Sequence, residues 1–156
     1  MGKCGTLPSH SLKQDVTLMF RGEVAYSLDE KNRLTVPSAF REELGEVFYV
    51  TKGLDKCLFV FPEEKWTEFE ASIRALPLSS GRKTQRFFFS GAKECVPDRQ
   101  GRILIPQNLR EYAGIEKDAV IIGVSDRLEI WSKEQWEAYD DTDSDEIARL
   151  MEEMNV

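Results

Sequence analysis

Apolar and polar residues alternate over residues 20–28, where Phe, Gly, Val, Tyr and Leu occupy every second position. Such an alternation is typical of a β-strand. Residues 29–32 (Asp-Glu-Lys-Asn) follow, and Asp and Asn both favour a tight turn at these positions. Residues 34–36 (Leu-Thr-Val) then predict a return strand. The pattern therefore predicts a β-hairpin.

The same unit occurs twice in the chain. Residues 29–41 read D-E-K-N-R-L-T-V-P-S-A-F-R, and residues 98–110 read D-R-Q-G-R-I-L-I-P-Q-N-L-R. Asp, Arg, three mainly apolar residues, Pro and Arg appear in the same order, and Gly101 occupies the slot of Asn32 in a turn of the same length. One copy is too small to bury a core alone, so the repeat predicts one pseudo-symmetric domain built from both copies.

Each return strand leads into a short predicted helix. Pro37 and Pro106 suit the first position of a helix, and Gly45 and Gly114 suit the position that ends it. The order strand, tight turn, strand, Pro, short helix and Gly therefore occurs in both copies.

Both copies continue with a second hairpin and an amphipathic helix. The hairpins are predicted over residues 47–61 and 119–131, each around a short polar turn. The helices are predicted to begin after Pro62 and after Ser132, where Gln135 is placed for a capping box. The sequence therefore predicts a mainly β protein with short helices.

Two further clusters have both a structural and a functional interpretation. The run 87–89 (Phe-Phe-Phe), Trp66 and Trp136 predict a packed core, and base stacking is the less favoured alternative. The basic residues within 82–86 predict a solvated linker, and steering toward phosphates is the alternative.

These elements define the predicted organisation of the chain. The segment before Met19 shows no sustained period and matches nothing in the second half, so it is predicted to be a disordered leader. The apolar residues of the C-terminal tail lie on one helical stripe, for which docking on the parent fold is the commoner interpretation and docking on a neighbouring subunit the less common one. The segments are the leader 1–18, the first repeat 19–76, the linker 77–86, the second repeat 87–139 and the acidic tail 140–156.

Composition excludes several classes of protein. Of 156 residues, 41% are hydrophobic and 31% are charged, as in ordinary globular domains. No apolar run approaches the ~20 residues that span a bilayer, and no secretory pattern opens the chain, so a cytoplasmic protein without a membrane partner is expected. Cys4, Cys57 and Cys95 form no C-x-x-C pair and His10 is the single histidine. We therefore expect no enzyme, no metal site, no cofactor and no small-molecule substrate.

The net charge of −7 is unevenly distributed. Residues 140–156 contain seven acids and one Arg, which leaves 20 bases and 21 acids in residues 1–139. An acidic tail on a nearly neutral body is compatible with a DNA partner, because the field at the contact surface matters more than the total charge.

The two Asp-x-x-x-Arg units are the strongest functional candidates, and they allow two interpretations. In one, Asp29–Arg33 and Asp98–Arg102 are exposed ion pairs that bracket a turn and contribute little stability. In the other, Arg33 and Arg102 point from hairpins toward DNA phosphates or guanine edges, since a two-stranded ribbon fits the major groove.

The second interpretation assigns roles to the residues around the two arginines. The aspartates would fix each turn and hold the guanidinium direction, while Asn32 and Gly101 would adopt the left-handed conformation that closes it. Nearby cations would contact phosphates. These cations are Lys31, Arg41, Arg99 and Arg110.

The doubled D-x-x-x-R-[LI]-x-[VI]-P unit stands with F-R-G at 20–22, R-F-F-F-S-G-A at 86–92 and E-I-W-S-K-E-Q-W at 129–136. Together these motifs closely resemble the bacterial MraZ family, whose members look like two fused AbrB/SpoVT-type modules. The resemblance runs from Met19 to about Tyr139. It implies a double-split, swapped-hairpin β-barrel assembled into ring-like homo-oligomers.

The resemblance also implies a function. It implies sequence-specific binding of short repeats of double-stranded promoter DNA upstream of the cell division and cell wall operon, with association to the nucleoid. It assigns the DNA contacts first to Arg33 and Arg102. An antitoxin-like or scaffold module that uses the same barrel to hold a protein partner is the alternative. The second repeat has Lys93 and Cys95 at the positions where the first repeat has Val24 and Tyr26, so the halves need not contact DNA equally.

Overall fold

The computed structural model describes residues 19–139 and 144–156, which form two antiparallel sheets with short helices around them. The predicted leader lies outside these residues, as do positions 140–143 of the predicted tail. The strands are β1 (Glu23–Ser27), β2 (Arg33–Thr35), β3 (Phe48–Lys52), β4 (Leu58–Pro62), β5 (Lys93–Cys95), β6 (Arg102–Leu104), β7 (Asp118–Val124) and β8 (Arg127–Ser132). The helices are α1 (Ser38–Leu44), α2 (Glu63–Arg74), α3 (Leu78–Ser90), α4 (Gln107–Ala113), α5 (Lys133–Tyr139) and α6 (Ser144–Glu153).

The larger sheet combines strands from both repeats in the order β1-β7-β8-β4-β3-β5, and the smaller sheet pairs β2 with β6. The prediction of β-sheets with short helices built from two repeats is confirmed. The larger sheet is open, with β1 and β5 at its edges, so the described strands do not close into one barrel. The reason is that β2 and β6 pair with each other as a separate sheet and do not pair with either edge strand.

The predicted first hairpin of each repeat is divided between the two sheets. The turn forms as expected, because the Asn32 N–H donates to the Asp29 carbonyl at 2.9 Å. Beyond the turn the strands separate, so β1 pairs with β7 and β2 pairs with β6. At the centre of the small sheet Leu34 faces Ile103, and both side chains are almost fully buried. Each repeat thus covers the apolar strand of the other, as a swapped hairpin requires.

The predicted linker 77–86 is helical rather than irregular. It lies almost wholly within α3, which follows Pro77 and continues to Ser90. The Thr51 hydroxyl donates to the Phe88 carbonyl, and Phe88 is buried. The aromatic residues at the end of α3 therefore anchor the whole segment, and their burial outweighs the weak helix propensity of its Gly and Ser residues.

Aromatic side chains form a second core beside the main aliphatic one. Trp66 and Phe61 are buried, and the ring of Phe69 stacks on Phe61 with 4.9 Å between centroids. Trp131 is also buried, and Trp136 packs against it with 5.4 Å between centroids. The prediction that these aromatic residues form a core is confirmed.

The ends of the helices follow the sequence signals closely. Gly45 and Gly114 end α1 and α4 with φ of 83° and 67°, and Pro37 and Pro106 stand one position before these helices. Ser132 Oγ accepts the Gln135 N–H at 3.1 Å, as predicted for an N-cap. No helix in the described residues is long and apolar enough to span a bilayer.

The apolar stripe of α6 does not dock on the parent fold. Its members are 41–63% exposed, and no residue of this helix is buried. The commoner interpretation of the stripe is therefore wrong for the described part of the chain. The stripe consists of Ile147, Leu150 and Met151 in the helix and of Met154 directly after it.

Candidate nucleic-acid interface

The small sheet, β2 with β6, presents two arginines on one outward face, and we call it the arginine ribbon. Leu34 and Ile103 point inward at the centre of the ribbon and are buried. Because successive side chains of a strand point to opposite faces, their neighbours point outward. The register pairs Arg33 with Leu104 and Thr35 with Arg102. These four outward side chains are Arg33, Thr35, Arg102 and Leu104.

Each arginine is held by the aspartate of its own turn. Asp29 Oδ1 accepts the N–H groups of Lys31 and Arg33, both at 2.9 Å, and its Oδ2 accepts Arg33 Nε at 2.8 Å. Asp98 makes the same contacts in the second repeat, with Arg102 Nε at 2.9 Å. One carboxylate thus fixes the turn and the direction of the guanidinium, as predicted.

Asn32 and Gly101 close the two turns in the left-handed region, with φ of 61° and 78°. This conformation is readily available to Gly and is tolerated by Asn. Both residues therefore occupy the predicted conformation.

Ion pairs across the ribbon join the two arginines into one cluster. Arg102 Nη1 lies 3.5 Å from Asp29 Oδ2, and Arg33 Nη1 lies 4.0 Å from Asp98 Oδ2. The four side chains are 25–35% exposed. Neither Arg33 Nη2 nor Arg102 Nη2 has a hydrogen-bond partner among the described residues, so both are available to an external acceptor. These cross-repeat pairs could not be derived from the sequence, because they depend on the β2–β6 register.

The same contacts lower the pKa of both aspartates. For Asp29 the largest cause is the hydrogen bond from the Arg33 N–H, and the Arg33 side chain lowers the pKa further while desolvation opposes it. For Asp98 the N–H and side chain of Arg102 act in the same way. Both carboxylates are therefore ionised at neutral pH.

Lowered pKa values give a defined pH dependence. The stabilisation from each ionised aspartate is expected to be complete above the pKa of an unfolded aspartate and to disappear as the pH falls through the lowered folded pKa. An NMR titration of the side-chain carboxyl carbons should give midpoints below 3.8 for Asp29 and Asp98. Midpoints at or above 3.8 for the two turn aspartates would contradict the hydrogen-bonding scheme.

Arg41 and Arg110 hydrogen-bond to backbone carbonyls next to the ribbon strands. Arg41 Nε donates to the Val36 carbonyl at 2.9 Å, and Arg110 Nε donates to the Ile105 carbonyl at 3.0 Å. A Cβ added to Gly101 would lie 2.6 Å from Arg41 Nε, so the turn of the second repeat lies directly against this guanidinium. The two predicted phosphate-contacting arginines thus also have a positioning role that the sequence did not indicate.

The remaining predicted cations, Lys31 and Arg99, are exposed on the two turns. They lie at the same end of the molecule as the arginine ribbon, since Lys31 is two residues from Arg33 and Arg99 three residues from Arg102. All six predicted basic residues therefore lie around one ribbon, and the turns add three acidic residues. These acids are Asp29, Glu30 and Asp98.

The sequence interpretation missed the two other outward side chains of the ribbon, Thr35 and Leu104. Leu104 is 48% exposed although it is apolar and lies within a strand. The two-residue alternation around Leu34 and Ile103 was the signal that could have identified both residues.

The thiols of the described residues are poorly suited to nucleophilic chemistry. Burial raises the pKa of Cys95 to about 11 and raises the pKa of Cys57 still further. Only a thiolate is an effective nucleophile, so neither residue is activated at neutral pH. No group of three or more His, Cys, Asp or Glu side chains able to hold a metal occurs in residues 19–139 and 144–156.

Comparisons with known proteins agree with the doubled architecture. A family model described as "MraZ protein, putative antitoxin-like" matches twice, over residues 19–86 and 88–154. The transcriptional regulator MraZ of Moorella thermoacetica is 54% identical over 138 residues, which cover 87% of this chain and 96% of the relative. The transcriptional regulator MraZ of Clostridium tetani is 53% identical over 142 residues, which cover 88% of this chain and 100% of the relative. The chain therefore belongs to the MraZ family, the family of these transcriptional regulators.

Proposed function

We propose that this protein regulates transcription by binding double-stranded DNA through the arginine ribbon. Its proposed targets are short repeats in the promoter of the cell division and cell wall operon, which would place it in the cytoplasm at the nucleoid. The observation that carries the proposal is that Arg33 and Arg102 lie on the same outward face of one two-stranded ribbon, each held in direction by an aspartate.

The geometry suits reading of bases in the major groove. A two-stranded ribbon fits that groove, and an arginine can form two hydrogen bonds with guanine O6 and N7. Since Arg33 and Arg102 are already oriented by Asp29 and Asp98, less side-chain entropy is lost on binding. The guanidinium groups would exchange part of their contact with the aspartates for contact with DNA.

Phosphate contacts complete the proposed interface. Lys31 and Arg99 are exposed on the turns, and in this proposal they would contact the backbone on either side of the groove. Arg41 and Arg110 keep their Nε atoms on backbone carbonyls, so only their outer nitrogens would contact phosphates. Affinity and register would come from these four residues, and specificity from the ribbon.

Assembly into a ring-like homo-oligomer is part of the proposal. One subunit offers two ribbon arginines and an overall charge of −7, so its own affinity for DNA should be weak. Several subunits that contact adjacent repeats on one duplex would raise the affinity by about 10²–10⁴ over a single module.

The salt dependence of binding tests this proposal. Each neutralised phosphate adds about 0.9 to the slope of log K against log salt concentration, so four contacts per ribbon predict a slope of about −3.6 for each bound subunit. The measurement is fluorescence anisotropy on a duplex from upstream of the protein's own gene at 50–200 mM NaCl, with light scattering for the subunit number. The Lys31→Gln variant should bind with a slope smaller by about 0.9 per subunit, whereas Lys65→Gln, a change at a half-buried lysine of α2, should leave the slope unchanged.

A slope near zero would contradict the proposal, because it would mean that phosphates are not contacted. Tight binding of a protein partner without any salt-dependent binding of DNA would instead support the alternative, an antitoxin-like or scaffold module. The words "antitoxin-like" in the family description agree with that alternative.

A further inference from the structure

Leu104 is an exposed apolar side chain among the charged groups of the arginine ribbon. It lies directly opposite Arg33 in the β2–β6 register and is 48% exposed, while Ile103 beside it is 2% exposed. About half of the Leu104 side chain stays uncovered within the subunit. It is therefore available to a partner at the proposed DNA surface.

The hydrogen bonds of the ribbon place Leu104 close to Arg33. The Val36 N–H donates to the Gly101 carbonyl at 2.8 Å, and the Ile105 N–H donates to the Asn32 carbonyl at 3.1 Å. Because the ladder bonds alternate along an antiparallel pair, Arg33 and Leu104 form a pair of the non-hydrogen-bonded type. Side chains in such pairs are the closest neighbours on a sheet, so Leu104 would lie beside whatever Arg33 contacts.

The two repeats differ at this position. Thr35 occupies the place in the first repeat that Leu104 occupies in the second, and it lies opposite Arg102. The ribbon thus presents Arg33 with a leucine neighbour and Arg102 with a threonine neighbour. The two arginines are related by pseudo-symmetry, but the residues opposite them are different.

From this arrangement we infer that Leu104 contacts the C5-methyl group of a thymine beside the base that Arg33 reads. The inference rests on the proposed DNA-binding function. The thymine methyl is the apolar group that the major groove displays, and apolar side chains are its usual contacts. Leu104 then makes the two halves of the ribbon read different base steps, with a thymine required on the Arg33 side.

The surroundings of Leu104 favour a nucleic acid over a second copy of the chain as its partner. An open cavity of about 470 Å³ is lined by Leu104 and Val96 together with three cations and the two acids Glu94 and Asp98. Two of the cations belong to the ribbon, and the third extends from the edge strand β5. The ribbon arginines already contact the aspartates of the turns, but their Nη2 atoms have no acceptor among the described residues. An apolar protein surface would leave these donors without an acceptor, whereas a base edge with its flanking phosphate satisfies both the donors and the apolar side chain. The three cations are Arg33, Lys93 and Arg102.

Uracil lacks the C5-methyl group of thymine and is otherwise the same base, so replacing thymine by uracil tests the contact with this methyl group alone. A random 20-bp duplex pool is first selected with the wild-type protein, and each thymine of the selected duplex is then replaced by uracil, one at a time. At one position beside a guanine, uracil should weaken wild-type binding about fourfold, the effect of one buried methyl group. Leu104→Ala should bind the thymine duplex about fourfold more weakly than the wild type and should bind the thymine and uracil duplexes equally. Leu54→Ala, a change at an exposed leucine in the β3–β4 turn, should discriminate as the wild type does.

Three results would overturn the inference while leaving the proposed function intact. The first is wild-type binding that is indifferent to uracil at every position, and the second is a Leu104→Ala variant that still discriminates fully. A change of subunit number in Leu104→Ala, measured by light scattering, would also overturn it, because it would assign Leu104 to a contact between copies. If the wild type selects no duplex at all, the proposed function itself fails.

Discussion

Replacing both ribbon arginines with alanine is expected to abolish specific DNA binding. One lost base contact costs about 1–3 kcal/mol, so each single variant should bind about 5–150-fold more weakly, and Arg33→Ala/Arg102→Ala should bind at least about 30-fold more weakly. The thermal midpoint should hardly change, because these ion pairs are at the surface and both aspartates keep their hydrogen bonds to backbone N–H groups. Anisotropy on the upstream duplex and differential scanning calorimetry measure the two quantities.

Two further variants separate specific recognition from charge. Arg33→Lys keeps the positive charge but cannot form the bidentate contact, so it should lose affinity for the upstream duplex while its binding to an unrelated duplex stays close to that of the wild type. Arg74→Ala removes one positive charge, as a single ribbon alanine variant does, but at an exposed position at the end of α2, and it should bind normally. Normal binding by the double alanine variant would show that the ribbon does not contact DNA.

The cross-repeat ion pairs add an expectation about the single variants. Arg33 contacts the aspartate of the second turn, and Arg102 contacts the aspartate of the first. Removing either arginine therefore changes the electrostatic partner of the other. The binding energies of the two single variants should not add up to that of the double variant, since residues in one ion-pair network are coupled.

Local features of the fold could be predicted from the sequence because their causes are local. Asp29, Asn32 and Gly101 each determine a turn through their own side chain or backbone freedom, and Gly114 ends a helix in the same way. The direction of each guanidinium followed from the Asp-x-x-x-Arg spacing, since both residues belong to one turn. These parts of the site needed no knowledge of the partner strand.

Pairing between distant segments could not be predicted from the same patterns. A two-residue alternation identifies a strand but not its neighbour, so the pairing of β1 with β7 and of β2 with β6 was not evident from periodicity. The helix α3 was mistaken for an irregular linker because its first turns are polar and contain Gly81, while the aromatic residues that anchor it come at its end. The exposed stripe of α6 likewise shows that an apolar pattern does not specify what covers it.

Gly101→Ala is expected to cause a large loss of stability although it adds only one methyl group. The φ of 78° disfavours a side chain, and the added Cβ would lie 2.6 Å from Arg41 Nε and 2.7 Å from Arg41 Cζ. Arg41 cannot move away without losing its hydrogen bond to the Val36 carbonyl. Together these effects should cost about 2–4 kcal/mol. The thermal midpoint should then fall by roughly 4–16 °C in scanning calorimetry, and DNA binding should weaken because Arg102 follows directly.

Gly114→Ala is the matched control for the backbone conformation. Gly114 has a similar φ of 67°, but its Cβ would meet only Gln135 Nε2 at 3.2 Å, so about 1 kcal/mol and roughly 2–4 °C are expected. Equal losses in the two variants would contradict a steric role for Arg41. The sharper comparison is Gly101→Ala in an Arg41→Ala background, where the collision no longer exists. The alanine at position 101 should then cost no more than it does at position 114, because only the left-handed backbone remains to be strained.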